Sequence, residues 1–109
     1  MPTLASRSLI GANASGERFG ITIRIGHPYQ VNDVSWACPV AVDGVDTQLP
    51  DMHGIDSWQA LLLAIDLVRS RLEHFIERRG KLYWPDAPSM EVSLTEMFGL
   101  ASNNRSRGP

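Results

Sequence analysis

Residues 56–79 read DSWQALLLAIDLVRSRLEHFIERR, and this stretch decides the fold. Asp56-Ser57-Trp58-Gln59 has the form of a capping box, with a short acceptor side chain three residues ahead of a glutamine that reaches back to free N–H groups. Trp58, Leu61, Ile65, Val68, Leu72 and Phe75 then recur every three or four residues, flanked by Leu62 and Ile76, which is the spacing of one helix face. Asp66, Ser70, Glu73, His74 and Glu77 fall on the opposite side. Arg78 and Arg79 suit the negative end of the helix dipole, and Gly80 stops the helix. At about 1.5 Å per residue such a helix is roughly 36 Å long. That is enough to cross a whole small sheet.

Upstream, Phe19, Ile21, Ile23 and Ile25 alternate with Gly20, Thr22 and Arg24, the pattern of a half-buried strand. Asn13-Ala14-Ser15-Gly16-Glu17 is turn chemistry, and Ala5 to Ala12 reads as the other arm of a hairpin. Gly26-His27-Pro28 ends the strand, with a loop at residues 30–33. A second alternation places Val34, Trp36, Cys38, Val40 and Val42 on one face. Pro39 has no N–H to give a ladder, so the strand is expected at an edge there, or bulged. Asp43-Gly44 predicts a tight turn, and Val45 to Leu49 a short return strand. After the helix, Lys81 to Trp84 reads as a strand, and Ser93-Leu94-Thr95-Glu96 as a second capping box opening a turn or two of helix through Phe98. The expected fold is α+β: an antiparallel sheet of about four to five strands on one long helix, in the order β-β-β-(β)-α-β. Residues 4–100 form one domain in this reading, and residues 101–109 a flexible tail.

The 109 residues are 43% hydrophobic and 20% charged, a balance that supports a packed core without metal or disulfide. No apolar run approaches the roughly 20 residues of a membrane span, and no leader pattern opens the chain. A single cysteine fits a cytoplasmic setting. A net charge of −2 argues against nucleic acid as partner.

Ile25-Gly26-His27-Pro28, Trp36-Ala37-Cys38, Gly54-Ile55-Asp56-Ser57-Trp58-Gln59-Ala60-Leu61 and Leu82-Tyr83-Trp84 follow one another in a recognisable order. In these segments the chain resembles a family of small bacterial domains of unknown function, over roughly Leu4 to Asp86. The Gly-x-Asp-Ser-x-Gln-Ala-Leu helix start is the most specific part. The resemblance implies a small single-domain bacterial protein and carries over no catalytic residue.

Cys38, His53 and Asp51 are the residues from which a thiol nucleophile, or a pocket mouth between helix and sheet, could be built. A reactive thiol needs a lowered pKa and access to solvent. Cys38 instead shares the apolar strand face, so a packed thiol is expected. Asp51, His53 and Asp56 lack the paired spacing of a zinc site, and no cofactor is expected. Trp36, Trp58 and Trp84 are expected to share an aromatic cluster in the core. Residues 43–56 hold four Asp and no Lys or Arg. Asp43, Asp46 and Asp51 are therefore candidates to steer a basic protein partner. Gly20, Ala37, Pro39 and Ala41 form a small-residue face on which a partner, or a second copy of the chain, could settle. The reading favours binding over catalysis, in an immunity-type or accessory role. A small-molecule binder or small enzyme using Cys38, His53 and Asp51 is the alternative.

Overall fold

A computed structural model describes residues 1–99; the expected tail at 101–109 lies outside them. Ten elements follow in order: β1 (Thr3–Ala12), β2 (Arg18–Gly26), β3 (Tyr29–Asn32), β4 (Ser35–Cys38), β5 (Val40–Asp43), β6 (Met52–Gly54), α1 (Ser57–Glu77), β7 (Lys81–Trp84), β8 (Ala87–Glu91) and α2 (Leu94–Met97). The class is α+β, with antiparallel pairing throughout.

β1 and β2 are long because their apolar residues alternate without a break. Their turn is built by Asn13, whose side-chain oxygen accepts from the Ser15 N–H (3.1 Å), the Ser15 hydroxyl (2.6 Å) and the Glu17 N–H (3.1 Å). Gly16 supplies the left-handed backbone, at φ +90°. The hairpin sits at the centre of a five-stranded sheet in the order β5-β2-β1-β7-β8. Leu9 lies opposite Ile21, and Ile23 opposite Val42, so one face collects the large aliphatics. Phe19 lies across Gly11 and meets Phe75 of α1 edge-on, ring centres 5.9 Å apart. A Cβ on Gly11 would come within 2.7 Å of Ile21.

The structure differs from the sequence expectation in the middle of the chain. The alternating run 34–43 is not one strand. At Pro39 it changes sheets: β5 pairs with β2, while β4 joins a separate three-stranded sheet in the order β3-β4-β6. The Pro39 carbonyl accepts from the Gly26 N–H at 2.9 Å, which ties the crossing point to the end of β2. A residue with no N–H suits a step between ladders. The return strand expected at Val45–Leu49 does not form. Gly44 turns at φ +103°, and the Val45 and Asp46 N–H groups both bond the Val42 carbonyl. The chain pairs only at β6. Residues read as a loop form β3 instead.

α1 runs over β6 and β4 of the small sheet and over β5, β2 and β7 of the large one. Its fully buried line is Ala60, Ala64, Val68 and Leu72. Two alanines at the small-sheet end let the helix come close: a Cβ on Gly54 would lie 2.6 Å from the Ala60 nitrogen. At the other end Gly80 N–H bonds the Phe75 carbonyl (3.0 Å) and Arg79 N–H the Ile76 carbonyl (2.9 Å), closing a Schellman motif. The left-handed residue is Arg79, φ +70°, rather than a glycine. Gly80 serves space: a Cβ there would sit 2.6 Å from the Phe75 ring. Val92, Leu94, Met97 and Phe98 pack against the core, so the segment around α2 is part of the body.

Candidate functional site

The small sheet is where the structure leaves apolar surface open. Among the described residues the three most exposed large hydrophobics are Val34 (75%), Ile55 (72%) and Trp58 (70%). Local chemistry places all three. Asn32 builds the β3–β4 turn, its side-chain oxygen accepting from the Val34 N–H (2.9 Å) and the Ser35 hydroxyl (3.0 Å). Val34 is therefore held outward at the tip of a fixed turn. In the neighbouring pair Trp36 lies opposite Gly54, the last residue of β6, and Ile55 follows directly after it. Asp56 caps α1 by accepting from the Gln59 N–H (2.8 Å), while the Gln59 side chain accepts from the Ile55 N–H (2.8 Å). This reciprocal box fixes Ile55 and swings Trp58 into the first turn. Two hydrogen-bonded turns thus hold three exposed apolar residues, Val34 ahead of β4, Ile55 just past β6 and Trp58 in the first turn of α1. Trp36 of β4 is half-buried, and Tyr29 and Val31 of β3 are exposed as well.

The sequence pattern places Val34 and Trp58 on core faces, but the structure exposes both. Trp58 is two residues from Ala60, about 200° around the helix from the buried line at that point. The three tryptophans do not share a cluster. Trp84 belongs to the large sheet, with the Arg7 guanidinium 4.6 Å above its ring.

The other candidates are placed as follows. Cys38 is fully buried, its thiol donating to the Gly26 carbonyl (3.4 Å) and weakly to that of Pro39 (3.7 Å). Burial, and then the charge of Asp51, push its pKa up, the opposite of what a nucleophile needs. Cys38 pairs with Met52, and Ala37 with His53. Side chains alternate along a strand, so Cys38 and His53 point to opposite faces. Asp51 accepts a short hydrogen bond from the Tyr29 hydroxyl, whose ionisation that bond disfavours. The three described cavities lie along α1, at the β1–β2 turn, beside Phe98 and under α2; none is lined by Cys38, His53 or Asp51. Among the described residues no group of three or more His, Cys, Asp or Glu is arranged to hold a metal.

Of the three carboxylates expected to steer a partner, two have arginine partners within the chain. Arg24 grips Asp43 at 2.7 Å. Arg71 binds Asp46 through two parallel bonds of 2.9 Å each, which hold its guanidinium in the charged form. Asp51, the third of them, has no basic partner among the described residues. The expected small-residue face is divided as well: Ala37 is fully buried in the small sheet, while Gly20 lies on the open side of the large one. No described helix is long and apolar enough to cross a membrane.

Comparison with curated proteins and with solved structures finds no match. A family model does match, over residues 5–94, reaching past Asp86 to the start of α2 and spanning both sheets and α1. The chain belongs to the family described as domain of unknown function (DUF6968).

Proposed function

We propose that this domain acts by binding another protein, and that it does so through the apolar end of the small sheet. One observation carries the reading: Val34, Ile55 and Trp58 are the most exposed large hydrophobics among the described residues, Ile55 and Trp58 standing three residues apart around the Asp56 cap just after β6, and Val34 in the turn that leads into β4, the strand paired with β6. Scattered exposed aliphatics need no explanation, but a gathered group does. Tryptophan with aliphatic neighbours is also the composition of interface anchors. Asn32 and the Asp56–Gln59 box hold the turns in place before any partner arrives, which lowers the ordering cost of association. The reading keeps the accessory role and the cytoplasmic setting expected from the sequence. It moves the contact from the loop of Asp43 and Asp46 to the neighbouring sheet end.

The small-molecule or enzymatic alternative has less support, because Cys38 and His53 face away from each other and the thiol resists ionisation. The two readings separate by affinity capture from lysate of the native host. Wild-type protein is compared with a Val34→Ser/Ile55→Ser/Trp58→Ser variant whose melting temperature is checked first. A protein partner held by the wild type should lose affinity roughly thirtyfold or more, as truncation of interface anchors does. A partner retained equally by both overturns the proposal. So does a lysate that yields only a co-purifying metabolite.

A further inference from the structure

Building on that protein-binding reading, we infer that the partner presented to this end is basic: a protein segment whose lysines or arginines border an apolar centre. The inference rests on how charge is distributed around the patch. From Ile25 to Val68 the chain contains no lysine or arginine, and it contains six aspartates. Three of them are neutralised by arginines from outside that stretch: Asp43 by Arg24, Asp46 by Arg71 and Asp66 by Arg69. The other three, Asp33, Asp51 and Asp56, have no basic partner among the described residues.

Two of those three border the apolar end. Asp33 immediately precedes Val34, and Asp56 immediately follows Ile55. Asp33 is the freer one, because Asn32 already makes the side-chain bonds of the turn. Asp56 spends one oxygen on the helix start, where the dipole offsets part of its charge. Asp51 stands at the far end of the same sheet, only about 10 Å of strand away. The arrangement is an apolar centre with an acidic rim, the usual anatomy of a protein interface in one charge sign.

A group docked beside Val34 or Ile55 lies within about a Debye length, roughly 8 Å, of Asp33 or Asp56, their chain neighbours. Lysine and arginine fit both parts of the surface. Their stems cover aliphatic side chains, their charges answer Asp33 and Asp56, and a guanidinium can stack on the open face of Trp58. Nucleic acid or an acidic membrane would bring like charge to the same rim.

The test uses a displayed library of random linear peptides of about twelve residues, selected on immobilised wild-type protein and counter-selected on the Val34→Ser/Ile55→Ser/Trp58→Ser variant. Enriched peptides should be net positive and should weaken as salt rises. An Asp33→Asn/Asp56→Asn variant keeps the cap, since asparagine caps as well as aspartate, yet it should weaken them about tenfold and flatten the salt dependence. Peptides that need the three apolar residues but are neutral or acidic overturn the basic-partner inference and leave protein binding standing. So do peptides indifferent to the Asp33→Asn/Asp56→Asn change. A library with nothing enriched over the triple variant overturns both. Binding of phosphatidylglycerol vesicles through Trp58 would replace a basic protein with a membrane surface.

Discussion

The two ends of α1 are finished in opposite ways. At its C-terminal end the Schellman turn seats Gly80 against Phe75, Phe75 meets Phe19 edge-on, and Arg71 closes onto Asp46. Phe75, Phe19 and the Arg71–Asp46 pair there find their partners inside the chain. At the N-terminal end the backbone is equally well capped, by Asp56 and Gln59, yet Trp58 and Ile55 stay in solvent, in a stretch from Ile25 to Val68 that contains no lysine or arginine. One end is closed on itself, while the other is rigid and open. A rigid backbone under unpartnered apolar side chains is what a docking surface needs and what a folding core does not.

That contrast makes Leu72 and Trp58 the sharpest pair to compare. Leu72 is fully buried on the helix line that faces both sheets. Leu72→Ala should cost about 2–5 kcal/mol, read from urea unfolding, because neighbouring strands cannot collapse into the space. A loss below about 1 kcal/mol would mean that the C-terminal half of α1 is loosely packed and that the contrast between the ends fails.

The cap comes next. Asp56→Ala removes the acceptor for the Gln59 N–H and should cost about 0.5–2 kcal/mol in the same measurement. No loss would show that the open end is held by something other than its capping box. Asp56→Asn should be nearly neutral, which separates loss of the cap from loss of charge.

What could be read from the sequence follows the same division between local and long-range causes. The helix, its cap at Asp56, the hairpin turn at Asn13 and the buried thiol were all legible, because each depends on a few neighbouring residues or on a plain alternation. The sheet change at Pro39 was half legible. Proline announced a break in the ladder, but only the pairing of Ile25 with Val40 and of Trp36 with Gly54 shows two sheets. β3, Tyr29–Asn32, and β8, Ala87–Glu91, carry few β-branched residues and gave no signal; their partners recruit them. The candidate site was misplaced for a related reason. Counting large apolar residues at helical spacing selects Trp58 and passes over Ala60 and Ala64, which are small because the small sheet lies so close. The aspartates look like one acidic loop in the sequence, since nothing local shows that Arg24 and Arg71 arrive from other elements to claim two of them.

Trp58 should give the smallest effect on stability, and that smallness is the point. With 70% of its surface exposed it has little burial to lose. Tryptophan and serine have similar helix propensities, and the cap at Asp56 is untouched by the change. Trp58→Ser should therefore shift unfolding free energy by less than about 0.5 kcal/mol, as substitutions at open surface do. Its fluorescence should be quenched by acrylamide in the native protein nearly as well as in urea, once Trp36 and Trp84 are replaced by phenylalanine. A loss above about 1 kcal/mol would place Trp58 among the packing residues and remove the largest side chain from the proposed surface. With the loss near zero, tryptophan at this position is kept for something outside the fold. Leu72→Ala would then unfold the protein while leaving its partner contact intact in the surviving native fraction. Trp58→Ser would do the reverse.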